Sequence, residues 1–102
     1  MITNTNVLTS STTVYTSTGN TVVSTIHLCN QSGSTVTANL YVVPSGGTAG
    51  VTNIVYKSLA IAASDTYITN NNERFILGNG DFIAAAANVA NSVITTVTYT
   101  SI

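Results

Sequence analysis

Polar and apolar residues alternate along most of this chain, and a period of two is the mark of a strand with one buried face. In "TVVSTIHLCN", residues 21–30, Val22, Ser24, Ile26, Leu28 and Asn30 fall on one side, with Val23, Thr25, His27 and Cys29 on the other. In "TVTANLYVVP", Val36, Ala38, Leu40 and Val42 share a side, opposed by Thr35, Thr37, Asn39, Tyr41 and Val43. "VITTVTYTSI" sets Thr96, Thr98 and Thr100 outward together. Repeated over so many segments, the pattern predicts antiparallel sheet with one wet face. The residue types agree: 12 Val, 9 Ile and 19 Thr are stiff at χ1 and suit a pleated surface better than a helix.

Turn chemistry divides the segments at the spacing of a sandwich or barrel. "STGN" at 17–20 precedes a strand, "NQSGS" at 30–34 reads as a hairpin loop, and "PSGGTAG" at 44–50 is the longest loop. "NNN" at 70–72 is a further turn, and "GNGD" at 78–81 carries Asn-Gly, the strongest short-range hairpin signal. The predicted strands cover 4–9, 12–17, 21–30, 35–43, 53–60, 65–70, 73–78, 81–88 and 92–101. "DFIAAAANVANSVI" is the one ambiguous segment, because four consecutive alanines favour a helix locally. The strongly β segment that follows, and the barely two turns between Asp81 and Asn88, decide for strand. The expectation is a single all-β domain over 1–102, an antiparallel sandwich of jelly-roll or immunoglobulin-like type with eight or nine short strands and no substantial helix. Residues 1–20 form an extended arm or edge strands.

Composition narrows the function. Apolar residues make up 44% of the chain and charged residues only 5%, against about 25% charged in typical domains. Neutral polar residues replace the charge: 19 Thr, 11 Ser and 12 Asn. A net charge of −1 supplies no field to steer nucleic acid or an anionic membrane, and two cations cannot hold a phosphate backbone. Little repulsion keeps copies apart, so self-association is expected. The lone Cys29 allows no internal disulfide. The opening "MITNTNVLTSS" lacks the basic and apolar regions of a signal peptide, and no stretch is long and apolar enough for a spanning helix. A cytoplasmic origin follows as an expectation.

Three of the five charged residues, Glu73, Arg74 and Asp81, lie within nine positions. They would be a carboxylate pair tuned by Arg74, or the frame of a hairpin. The hairpin reading sets Glu73 and Asp81 several residues apart along it, and an Asp after Gly closes turns by accepting backbone N–H bonds. It is preferred, with Arg74 as a contact to a neighbour. His27 and Cys29 share one strand face, yet the chain has no second His or Cys to complete a zinc set. They read as a packed cysteine beside a hydrogen-bonded histidine. No Gly-x-Ser-x-Gly elbow or phosphate loop is present. The expectation is therefore no catalytic residue, no cofactor and no metal. Thr3/Thr5, Thr16/Thr18, Thr35/Thr37 and Thr96/Thr98/Thr100 raise an ice-binding face as a remote alternative, but their spacing is irregular. Tyr15, Tyr41, Tyr56, Tyr67 and Tyr99 are spread over five strands and keep a glycan-binding adhesin as the main alternative. Arg74, Tyr41 and Tyr99 are the candidate interface residues.

Four segments carry a resemblance: Cys29-Asn30 before a polar loop, Val43-Pro44-Ser45-Gly46-Gly47, Ala62-Ala63-Ser64-Asp65-Thr66, and Gly80-Asp81-Phe82-Ile83. Over residues 22–102 the chain resembles small virion proteins of tailed bacteriophages. The resemblance implies a β-sandwich subunit in many copies, either a capsid decoration (cement) protein or a neck, tail or fibre component. Its partners would be other virion proteins and copies of itself, as a homo-oligomer. It would be assembled in the host cytoplasm and located in the virion.

Overall fold

The computed structural model describes residues 1–69 and 75–102. Among them nine strands form: β1 (Ile2–Asn6), β2 (Thr12–Thr16), β3 (Thr21–Asn30), β4 (Val36–Val43), β5 (Ile54–Ile61), β6 (Thr66–Ile68), β7 (Phe75–Leu77), β8 (Phe82–Ala87) and β9 (Val93–Ser101). One sheet runs β1-β9-β3-β6, and the other β2-β8-β4-β5. β7 joins the first sheet: β6 pairs with the His27–Cys29 end of β3 and β7 with the Thr21–Val23 end, all antiparallel. Taken as two pieces of one strand position, β6 and β7 reduce the count to eight. First then pairs with last, second with second-last, third with sixth and fourth with fifth. The chain is one long hairpin rolled into two layers, the jelly-roll form of a β-sandwich.

The core lies between the layers. Ile26 and Leu28 of β3 and Val93 and Val97 of β9 meet Leu40 of β4 and Ile83 of β8, each fully buried. The alternation in β4 and β9 selects these faces as expected. β8 explains the alanines. It is an inner strand with β2 on one side and β4 on the other, and Ile83 through Ala87 are all buried. Pairing on both edges satisfies its backbone, and this outweighs the local helix preference of alanine.

Several expectations change in detail. The first strand spans 2–6 rather than 4–9. The Leu8 N–H donates to Thr12 Oγ1 (3.2 Å), and that hydroxyl donates to Ser10 O (3.1 Å). These local bonds bend the chain away from the sheet. In β3 the inward set is Thr21, Val23, Ile26, Leu28 and Asn30, so Val22 and Val23 exchange the sides predicted for them. The register against β9 shifts between Val23 and Thr25. One extra residue there, Ser24, is a β-bulge that reverses the facing upstream of it. Its hydroxyl donates to Thr98 O at 3.1 Å.

Two predicted hairpins are not hairpins. The 78–81 turn joins β7 of one sheet to β8 of the other, and the 31–35 connection joins β3 to β4 across the layers. In the 78–81 turn only Gly80 has positive φ (87°) while Asn79 does not. This is the type II pattern rather than the type I′ that hairpins favour, so the strands part instead of pairing. Among the described residues, the connection containing the 44–50 loop alone joins two sequence-adjacent strands that pair with each other, β4 and β5. Residues 1–20 supply β1 and β2, one edge of each sheet.

Candidate functional site

The outer face of the first sheet presents a regular surface across four strand positions. Asn4, Thr96, His27 and Ile68 lie side by side across four strands, and Asn6, Ile94, Cys29 and Thr66 form the next row. Ile2, Thr98 and Thr25 make a third row, and Thr100, Val22 and Ile76 a fourth. Ile2, Ile68 and Ile76 are 66%, 51% and 73% exposed. Thr96 Oγ1 donates to Asn4 Oδ1 at 2.7 Å, tying β9 to β1. None of these residues is Asp, Glu, Lys or Arg. Around His27 and Cys29 the surface therefore offers mainly hydroxyls, amides and aliphatic side chains, groups that shed water at lower cost than ions.

The four segments Cys29-Asn30, 43–47, 62–66 and 80–83 meet in pairs. At one end of the sandwich, Asn30 is fully buried. Its Nδ2 donates to Ser34 O (2.8 Å), Ile61 O (3.0 Å) and Ala62 O (3.2 Å). Its Oδ1 accepts from Ser32 N (2.9 Å) and Ser32 Oγ (2.7 Å), and its own N–H donates to Asp65 O (2.9 Å). The Cys-Asn strand end and the Ala-Ala-Ser-Asp turn are thus one corner. At a second corner, Asp81 Oδ1 accepts from Ser45 N and Oδ2 from Gly78 N, both at 2.8 Å. Gly80 lies so close to Ser45 that a Cβ there would sit 2.5 Å from the serine hydroxyl. Both corners hold backbone by side-chain bonds.

The predicted site residues are dispersed. Glu73, Arg74 and the 70–72 turn lie outside the described residues. Asp81 serves its turn by accepting two backbone N–H groups, as an Asp following Gly was expected to do. Tyr41 stands half-buried on the outer side of β4, where its hydroxyl accepts from Asn39 Nδ2 (3.4 Å). Tyr99 packs against the core, its ring 4.2 Å from that of Tyr15 and tilted by 31°. Tyr56 and Tyr67 form an edge-to-face pair at 5.5 Å. The tyrosines therefore divide into two inward pairs and Tyr41.

His27 and Cys29 do share a face, half-buried, but no group of three or more metal-ligating residues occurs among the described residues. The Nδ1 atom of His27 is shielded and has no hydrogen-bond partner, so the hydrogen-bonded histidine expected here is absent at that nitrogen. The threonine runs do not join into one plane. Thr96, Thr98 and Thr100 face outward, whereas Thr5 turns in and donates to Val14 O (3.4 Å), and Thr37 belongs to the other sheet.

Asn30 is the residue that sequence reading placed but undervalued. Its position at the inward end of an alternating strand, directly before a Ser/Gly loop, was the available signal: a polar side chain there must find partners. Compared with known proteins, the chain matches no family model, no curated protein and no solved structure.

Proposed function

We propose that the chain is a non-enzymatic structural subunit of a tailed-phage virion. It would act as a capsid decoration protein or as a neck, tail or fibre component, through contacts with its own copies and other virion proteins. The observation that carries the reading is the outer face of the first sheet, where Thr, Asn and Ile predominate around His27 and Cys29 and no Asp, Glu, Lys or Arg occurs in the paired rows. Such a face is suited to being covered, because burying it removes apolar area from water and leaves no unpaired ion. The jelly-roll architecture supports it by analogy, since viral coat domains use this form. The four turn motifs support the virion setting, and in the fold they become two hydrogen-bonded corners.

The glycan-binding alternative draws less support. Lectins also use jelly rolls, but four of the five tyrosines are packed against the core, leaving Tyr41 alone to stack on a sugar. Density-gradient purification of particles from a source encoding the chain, followed by quantitative mass spectrometry, tests the proposal. The chain should be recovered in the particle band at a fixed ratio to the major coat protein. Recovery only as free protein at the top of the gradient would refute it.

A further inference from the structure

Three of the four sheet edges are blunted against strand addition. β5 carries Lys57, slips register twice against β4, and holds Ser58 at a φ of 52°. β2 slips register at Val14. At the far edge of the first sheet the described residues form two short strands, β6 and β7, three residues each. Bulges, edge charges and short strands are the usual devices that stop edges from pairing.

β1 has no bulge or break, and the charge beside it, the Met1 ammonium, bonds inward to Tyr99 O (2.7 Å). Its five residues, Ile-Thr-Asn-Thr-Asn, pair with β9 without a slip and include no charge and no proline. The parity of its ladder follows from the two ends. Tyr99 N donates to Met1 O (2.9 Å) and Val7 N to Val93 O (2.9 Å). Odd-numbered positions therefore bond inward to β9, and Ile2, Asn4 and Asn6 direct their N–H and C=O groups out of the sheet edge.

We infer that β1 pairs antiparallel with β1 of a second copy, about a two-fold axis at Asn4, joining two five-stranded sheets into one. This deepens the proposed function and rests on its premise of self-association. Two features of the segment select a second copy as the occupant. First, the register is self-complementary: Asn4 meets Asn4, and Ile2 meets Asn6, so each opposed pair exchanges both its N–H···O bonds with no charge set against another. Second, exposed apolar residues flank the edge at both ends, Met1 (64%) and Ile2 (66%) at one and Leu8 (45%) at the other. An antiparallel two-fold brings one end of each copy against the opposite end of its partner. The outer faces described above would then run on continuously across the axis.

The test uses the purified full chain and the variants Asn4→Lys and Asn4→Glu, followed by size exclusion with light scattering. Asn4 is exposed and points its side chain away from the core, and the bond that it accepts from Thr96 Oγ1 lies on the surface, so losing that bond should leave both variants within a few degrees of the wild-type melting temperature. The wild type should show the mass of at least two chains. Each charged variant alone places like charges opposite one another at the axis and should fall to half that mass or less. Mixing the two variants should restore the wild-type mass, because only a two-fold at position 4 pairs the new charges with each other.

Variants that assemble alone like the wild type, or a mixture that stays dissociated, would overturn the inference. Hydrogen exchange on the wild type decides the matter even if the variants misfold. The Asn4 amide should be protected together with those of Thr3 and Thr5, and free exchange at Asn4 would overturn it. Failure at the edge with an oligomer still present leaves the virion reading standing. Absence from particles with the pair intact removes that reading alone. A wild-type monomer removes the inference and the self-association on which the proposed function depends.

Discussion

Replacing Asn30 should weaken the fold more than any surface change, and by an amount that the geometry sets. Asn30→Ala deletes five side-chain hydrogen bonds at a fully buried position. At about 0.5–1.5 kcal/mol net per bond, the ceiling is about 7 kcal/mol. Part of this is recovered. Ser34 O keeps the Ser32 hydroxyl (3.0 Å) and Ala62 O keeps the Asp65 N–H (3.1 Å). The expected loss is therefore about 2–4 kcal/mol, a large share of the about 5–15 kcal/mol of a typical domain. For a chain of this length that is about 8–16 °C in melting temperature.

Asn30→Asp is nearly isosteric but puts an oxygen where the amide faces three carbonyl oxygens at 2.8, 3.0 and 3.2 Å. At neutral pH it should cost more than Asn30→Ala. Burial and the facing carbonyls raise the carboxyl's folded-state pKa above its ordinary value of about 3.9. The penalty of Asn30→Asp should then be smallest in acid and grow as pH rises through the raised value. Urea unfolding followed by far-UV circular dichroism measures all three chains. An alanine variant within about 0.5 kcal/mol of wild type, or an aspartate variant more stable than alanine at pH 7, would refute the assignment of Asn30 as a donor hub.

Three further substitutions probe the other corner. Gly46 and Gly80 both have positive φ, 79° and 87°, but a Cβ at Gly46 meets nothing within 4 Å, whereas at Gly80 it meets the Ser45 hydroxyl at 2.5 Å. Gly46→Ala should cost only the conformational term of about 1 kcal/mol and Gly80→Ala about 2–3 kcal/mol; equal thermal melts would contradict this. Asp81→Ala frees the amides of Ser45 and Gly78, whose exchange with deuterium should accelerate about tenfold for each 1.4 kcal/mol of lost local stability. Unchanged exchange at both would show that the carboxylate does not hold the turn.

Much of the architecture could be read from the residues, because period-two alternation reports directly on a two-sided sheet. β3, β4, β8 and β9 fall within one residue at either end of where the pattern set them. The pairing was harder to read. Asn-Gly at 79–80 signals a tight turn, but whether the following strand returns to its neighbour or crosses to the other layer depends on which of the two residues takes positive φ, and only Gly80 does. The facing of Val22 and Val23 was hidden for a similar reason: one inserted residue, Ser24, reverses it, and no side-chain pattern announces a bulge. At the candidate site, the uncharged exterior was plain from composition. The convergence of the four turn motifs into two corners was not, because their bonds join residues about 30 or more positions apart, Asn30 to Ile61 and Ser45 to Asp81.

The position of β9 between β1 and β3 has a consequence for how the chain is made. β9 is made after the other described strands and is an inner strand of its sheet, so neither β1 nor β3 has this shared partner until β9 has been synthesised. Pairings this distant in sequence fold slowly, on about the millisecond-to-second scale. Until then, uncharged strands stand open to neighbouring nascent chains. A C-terminal truncation through Val93–Ser101 should therefore yield insoluble product rather than a smaller soluble domain, and slower translation should not help the N-terminal half to fold early.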